Sequence, residues 1–194
     1  MSEQRITMVM RRVDVSRFFA AVNPRMAAVI TSLSPEGEPN AMAATWHSPI
    51  SLRPPLYGVS ISPKRATHDN VERTGVFGVN FLPFELVQKV HFVGRVSRRE
   101  RRDKLRAAGI EVLEGPELGV PILAKAYVAL ECRVVDSRVW GDHTWFVGEV
   151  RSLLASDSLR EDATVDLSRV RPTLYLGSDR YVTVDPSTER EVSP

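Results

Sequence analysis

The sequence predicts a mainly β protein, with antiparallel strands closing or nearly closing into a barrel and short helices inserted between them. Three observations carry this expectation. Apolar, β-branched runs recur along the chain and are punctuated by Gly and Pro turn signals. Two long runs, 127–140 and 143–155, are joined only by Gly141 and Asp142, the signature of a type II′ hairpin. The helical patterns are short and do not alternate regularly with strands, as they would in a parallel α/β sheet.

The elements follow in order. "RMAAVITSLS" (25–34), bounded by Pro24 and Pro35, reads as a strand buried on both faces or nearly so. "SPEGEP" supplies a turn, with Gly37 free to take positive φ. "NAMAATWHS" (40–48) reads as the return strand, and "PPLYGVSIS" (54–62) as a third. Thr67 is placed to cap a helix over 68–74, which Gly75 ends, and "VFGVNF" (76–81) is again a strand. Pro83 suits the first turn of a helix carrying Leu86, Val87 and Val90. "SRRERRDKLRAAG" (97–109) reads as a charged helix capped by Ser97 and stopped by Gly109. In the long hairpin, Val128, Leu130, Cys132 and Val134 share one face while Val135 and Val139 fall on the other, so a bulge or two-sided burial is expected. "TLYLG" and "RYVTV" form a last strand pair, and the polar tail 185–194 is expected to fray. All of this reads as a single domain of 194 residues with its core at about 12–184.

Composition narrows the function. A hydrophobic content of 43%, a charged content of 26% and a net charge of +2 are ordinary for a globular protein and lack the basic excess of a nucleic-acid binder. The run Arg98-Arg99-Glu100-Arg101-Arg102 is expected to be a solvated helix face. A single cysteine, Cys132, excludes an intrachain disulfide or a cysteine-based zinc cluster, and its apolar setting predicts a buried thiol. The N-terminal stretch shows no signal-peptide pattern, and no run approaches the ~20 apolar residues of a membrane helix. A cytoplasmic protein without membrane or nucleic-acid partners is expected. The histidines at 47, 68, 91 and 143 have no metal-ligand spacing, and no G-x-S-x-G occurs, so neither a metal centre nor a serine hydrolase is expected.

Three stretches can carry chemistry. In "SPKRAT" (62–67), Lys64, Arg65, the Thr67 hydroxyl and the N–H groups of a following helix make an anion site, most naturally for phosphate. In "TWHSPIS" (45–51), small and polar residues end a strand, and Pro49 interrupts pairing and frees backbone amides for a ligand. In "GDHTWFVGEV" (141–150), His143 follows a tight turn at the head of a strand, where it can donate a proton or a hydrogen bond. Taken alone, each stretch reads better as a surface loop, a strand end or a turn histidine in solvent.

Together, their order resembles the flavin reductase-like, FMN-binding split-barrel proteins, in particular the flavoredoxin-like branch. "NPRMAAVITSLSPEGEPNAMAATWHSPIS" is similar to the family's first hairpin and flavin-contacting strand end. "PPLYGVSISPKRATHDNVERTGVFGVNF" is similar to the next strand, the phosphate loop and the helix leading to a strand that ends in Val-Asn. "RRDKLRAAGIEV" matches the Asp-Lys helix, "ALECRVVDSRVWGDHTWFVGEV" the hairpin with Gly-Asp-His at its turn, and "RPTLYLGSDRYVTV" the closing strands. The chain departs from the family in "VSRRERRDK", where a glycine often follows the serine and where this chain is more basic.

The resemblance implies an antiparallel split β-barrel, a homodimer with FMN (or FAD) at the subunit interface, and flavin reduction by NADH or NADPH. Electrons would pass to a small-molecule or protein acceptor, such as a partner oxygenase. Carried over by motif, Thr45, Trp46, His47 and Ser48 line the isoalloxazine, and Ser62, Lys64, Arg65 and Thr67 hold the phosphate end. His143 lies near the flavin or nicotinamide as the catalytic group. Two alternatives stay open: a flavin-binding electron carrier without NAD(P)H turnover, and an FMN-dependent oxidase on the same barrel.

Overall fold

The computed structural model describes residues 10–192. The strands are β1 (Arg25–Met26), β2 (Ala28–Leu33), β3 (Pro39–Ala44), β4 (His47–Leu52), β5 (Pro55–Ile61), β6 (Val76–Phe81), β7 (Val112–Glu114), β8 (Pro121–Leu123), β9 (Val128–Trp140), β10 (His143–Ala155), β11 (Leu174–Gly177) and β12 (Arg180–Val182). The helices are α1 (Phe18–Ala21), α2 (Ala66–Thr74), α3 (Val87–Arg95) and α4 (Lys104–Ala107). No helix among the described residues is long and apolar enough to cross a membrane.

The main sheet has seven strands in the order β3-β2-β6-β9-β10-β5-β4, and every pairing is antiparallel. Its two edges, β3 and β4, are consecutive in the chain and separated only by Thr45 and Trp46. Three Cα–Cα steps of about 3.8 Å keep the ends of that link within about 11 Å. Seven strands laid flat at roughly 4.8 Å spacing would put the edges about 29 Å apart. The sheet must therefore curl until its edges nearly meet. It does so without a ladder between β3 and β4, which makes it a split barrel rather than a closed one.

Sequence pattern explains the layers. β2 alternates Ala28 and Ile30 into the barrel interior, where they meet Val59, Ile61, Phe77, Val79 and Phe146. Its Val29 faces the other way and packs with Ala41, Val90, Val93 and Leu105 under α3 and α4. The strand is thus buried on both faces, as its unbroken apolar run predicts. Fully buried Asn80 binds three segments together. Its amide nitrogen donates to Val29 O (3.2 Å) and Thr31 Oγ1 (3.1 Å), and its Oδ1 accepts from Leu123 N at 2.8 Å. The buried Glu131 carboxylate likewise accepts from the backbone N–H groups of Glu117 and Leu118 at 3.1 and 2.8 Å, fixing the loop before β8. Burial, with Glu131 adjoining, pushes the Cys132 thiol up to about 12, so it is an inert core group.

The β9–β10 hairpin turns on Gly141 (φ +62°) and Asp142, with His143 opposite Trp140. Only Gly141 of this pair has positive φ, as a type II′ turn requires. The register shifts after Val147 and again after Val150. Those bulges account for the broken alternation, because Val135 and Val139 are exposed rather than buried on a second face.

Several expected elements differ. The expected 25–34 strand changes sheets at Ala27, whose N–H bonds to Thr173 O, so β1 pairs with β11 while β2 joins the barrel. The return strand stops at Ala44, and His47–Leu52 form an edge strand where a loop was expected. Pro49 is tolerated there because an edge residue need not donate to a neighbour. Helix α2 begins two residues early, with Arg65 as its cap and no side-chain capping bond, and the Thr67 hydroxyl is engaged by Asn40 instead. The 97–109 segment is helical only over α4. Arg98 and Arg99 reach out to Glu38 and Asp69, and crowded arginines would repel along a helix face. The tail is held at Glu189 by a bidentate pair with Arg160 (2.7 and 2.9 Å).

His47 fastens the start of β4. Its Nε2–H donates to Met26 O at 3.0 Å, so Nδ1 accepts from the Tyr57 hydroxyl at 2.6 Å. Its ring stacks on Tyr57 and meets Phe81 edge-on. Burial, with Arg25 adding repulsion, lowers its pKa below the ordinary 6.5 although the Met26 carbonyl acts in the opposite sense. The folded state therefore binds the proton less tightly than the unfolded chain. This contribution to stability is present above pH 6.5 and is lost as pH falls below it. We predict that urea midpoints fall between pH 7 and pH 5, and that His47→Gln shows a shallower fall over the same window.

Candidate active site

The split in the barrel is also where the candidate site lies. Because β3 ends at Ala44 and β4 begins at His47, Thr45 and Trp46 bridge the gap without joining either strand. The bridge is not loose: Trp46 O accepts from Ser60 N at 2.8 Å. Beside it opens a cleft of about 510 Å³, lined by Met42, Ala43, Ala44, Thr45, Trp46, Ser60, Ile61, Ser62, Lys64, Arg65 and His143. That volume is within the ~300–1,000 Å³ typical of small-molecule sites.

The cleft wall carries an aromatic pair. The Trp46 and His143 rings lie 4.9 Å apart at 44°. His143 is delivered there by the hairpin turn, and its Nδ1 lies 2.7 Å from Asp142 Oδ1. A carboxylate only accepts, so Nδ1–H donates and Nε2 is left available to a ligand. The same bond holds the Asp142 carboxyl below its ordinary range.

The same wall is also cationic. The loop after β5 turns on Ser62, whose carbonyl accepts from Arg65 N at 3.0 Å, and brings Lys64 and Arg65 to the cleft wall just before α2. Behind it, sharing Met42 and Arg65 with the cleft, a small cavity is lined by Asn40, Thr67, Arg98 and Lys104 among others. Lys104 is only 4% exposed and has no carboxylate within ion-pair distance among the described residues. Burial, reinforced by Arg65 and Arg98, lowers its pKa to about 8. Asn40 donates to Thr67 Oγ1 at 2.9 Å, but its buried Oδ1 has no partner. A buried cation without a counter-ion and an orphaned polar atom are both costly unless a ligand satisfies them.

The structure thus brings Thr45, Trp46, Ser62, Lys64, Arg65 and His143 into one wall. Thr67 lies just behind, reached through Asn40. His47 and Ser48 are not in that wall. His47 turns to Met26 and Tyr57, and the exposed Ser48 hydroxyl donates to Pro49 O at 2.9 Å. Asn40 and Lys104 were not singled out from sequence. The only hint for Asn40 was a polar residue opening an apolar strand, and the only hint for Lys104 was its place in the Asp-Lys helix motif.

The donor set fits a flavin mononucleotide. Cations and hydroxyls suit a phosphate, and small residues with a Trp–His face suit a flat heterocycle.

Comparison with known proteins agrees. A sequence profile described as "Flavin reductase like domain" matches residues 20–184. An uncharacterized protein of Aeropyrum pernix is 36% identical over 88% of this chain, which spans 64% of that protein's length. An NADH-dependent flavin reductase of a Rhodococcus species is 30% identical, covering 78% of this chain and 80% of the relative. Among solved structures, an FMN-binding protein from Thermus thermophilus with bound 1-cyclohex-2-enone superposes with a TM-score of 0.78 at 30% identity, covering all of both chains. Flavoredoxin from Methanosarcina acetivorans has the same fold, with a TM-score of 0.82 at 24% identity over 94% of this chain and 95% of that one. With a split barrel whose open seam holds the cleft, and a match over most of its length, the chain belongs to the flavin reductase-like family.

Proposed function

We propose that the chain is an FMN-binding NAD(P)H:flavin oxidoreductase. The observation that carries this reading is a single cleft whose wall holds both cations and a Trp–His pair. Bound flavin would supply the hydride-accepting chemistry, while the protein supplies position and charge. Ser62, Lys64 and Arg65 hold the phosphate, and Lys104 neutralises it from behind. Asn40 Oδ1 is free to accept a bond from a ligand hydroxyl. Thr45 and Trp46 edge the isoalloxazine. His143, its ring fixed by Asp142, is the catalytic group. It offers Nε2 to the flavin edge or to the nicotinamide, accepting when neutral and donating when protonated. A nicotinamide needs no dinucleotide fingerprint here, because it can stack on an exposed flavin face.

The same reading includes a homodimer with flavin at the interface. Ile50 and Leu52 on β4 and Val139 and Trp140 at the hairpin tip are large apolar side chains left in solvent by one copy. A second copy is the occupant proposed for them. The acceptor is a small molecule or a partner oxygenase, and the compartment is the cytoplasm.

Two variants test this. Lys104→Met removes a buried, unpaired charge, so it should raise the midpoint of the flavin-free protein while weakening FMN by about 10- to 100-fold and leaving riboflavin unchanged. Equal losses for FMN and riboflavin would reject the phosphate role. His143→Ala should lower the NADH or NADPH oxidation rate by about 100-fold or more with FMN affinity retained. An unchanged rate would remove His143 from the chemistry.

A further inference from the structure

No ladder joins β3 to β4, so other contacts must fix how far apart the two sides of the cleft stand. Helix α2 is placed to do this. Three of its buried residues bond to three different strands. Thr67 accepts from Asn40 of β3 at 2.9 Å, and Asn70 donates to Ser32 of β2 at 3.1 Å, both on one side of the split. His68 reaches the other side, where its Nε2 lies 2.8 Å from the hydroxyl of Thr144 on β10. Among the described residues this is the one side-chain hydrogen bond from α2 to the β10–β5–β4 side.

Thr144 is a junction. It stands opposite Ile61, the last residue of β5, so the loop carrying Ser62, Lys64 and Arg65 leaves the sheet at its rung. Helix α2 then returns His68 to the same residue, and both ends of the loop are tied to one point. The residue before Thr144 is His143. As packing alone, the bond is a costly choice. His68 and Thr144 are only 6% and 7% exposed, and His68 Nδ1 is buried without a partner. The ring meets Phe146 edge-on at 5.2 Å, a contact that an apolar ring makes without burying polar atoms. What an apolar ring cannot supply is a directional bond across the split.

We propose that His68 and Thr144 are positioning residues, whose bond makes α2 a brace across the split and holds the 62–65 loop at a fixed distance from His143. What the brace serves rests on the flavin reductase reading, in which that loop and His143 must address one flavin. The brace itself does not.

Thr144→Val keeps the branched shape and removes the hydroxyl, while Thr144→Ser keeps the hydroxyl. In flavin-free protein, spin labels on Glu36→Cys, in the β2–β3 turn, and Ser137→Cys, on β9, report the separation of the two sides. Cys132 is buried and takes no label, and excess unlabelled protein confines the reading to one chain. The distance should be narrowly distributed in the parent and in Thr144→Ser, and broader or longer in Thr144→Val. An unchanged distribution in Thr144→Val would overturn the brace. Where Thr144→Val does not fold, His68→Phe, which keeps a ring, takes its place with the same expectation. With FMN and nicotinamide saturating, Thr144→Val should lower kcat by about tenfold with KM within about twofold. In a His143→Ala background it should change kcat by less than about twofold, because it acts through His143. An unchanged kcat, or an equal loss in both backgrounds, would overturn the positioning role. If the parent protein neither binds FMN nor oxidises a nicotinamide, the flavin reading fails while the flavin-free distances still decide the brace.

Discussion

Two residues, Thr45 and Trp46, set the architecture. Their link is too short to span an open seven-stranded sheet, so it holds the two edge strands close. It is also too irregular to complete a ladder, so the edges never pair. The same constraint creates the cleft, because the unpaired seam is the place where a ligand can enter the barrel wall. His47, one residue beyond, fixes the geometry by bonding across to β1 and β5. Fold and site are therefore not separable in this chain: the polar residues that end β3 early are also the residues that open the barrel.

Several groups near the seam are poorly satisfied by the protein alone. Asn40 Oδ1 is buried without a partner, and Lys104 is buried beside two other cations. Away from the cleft wall, His68 Nδ1 is also buried without a hydrogen-bond partner, while other buried polar groups are well served. Asn80 uses both ends of its amide, and Glu131 accepts two backbone bonds. Asn40 and Lys104 thus place two poorly satisfied groups together behind the cleft. An anionic ligand with hydroxyls would reverse both costs.

Much of this was legible in the sequence. The Gly141-Asp142 hairpin, the doubly buried β2 and the closing strand pair all follow from local pattern, because apolar periodicity and turn chemistry act over a few residues. The seam was harder to read. "TWHSPIS" was expected to be a strand end and loop, yet His47–Leu52 form an edge strand on the opposite side of the sheet. Only the long-range strand order reveals that, and spacing carries no record of it. Thr45, Trp46, Ser62, Lys64, Arg65 and His143 were singled out by motifs in family order, but Met42, Ala43, Ala44, Ser60 and Ile61 of the same wall were not, and the burial of Lys104 and Asn40 shows only in the structure. His47 shows the reverse case. Its motif position suggested a cofactor contact, but its two ring nitrogens are committed to Met26 and Tyr57.

The account stands on one claim: that the seam cleft holds FMN in a form a nicotinamide can reduce. The direct measurement is a visible absorption spectrum of the purified protein, titrated with FMN and then with NADH or NADPH without oxygen. The account predicts a perturbed flavin band that bleaches on adding one of the two nicotinamides. A bound flavin that stays oxidised with both would contradict the reductase reading and leave an electron carrier. No perturbation of FMN at any concentration would contradict the assignment of the cleft itself.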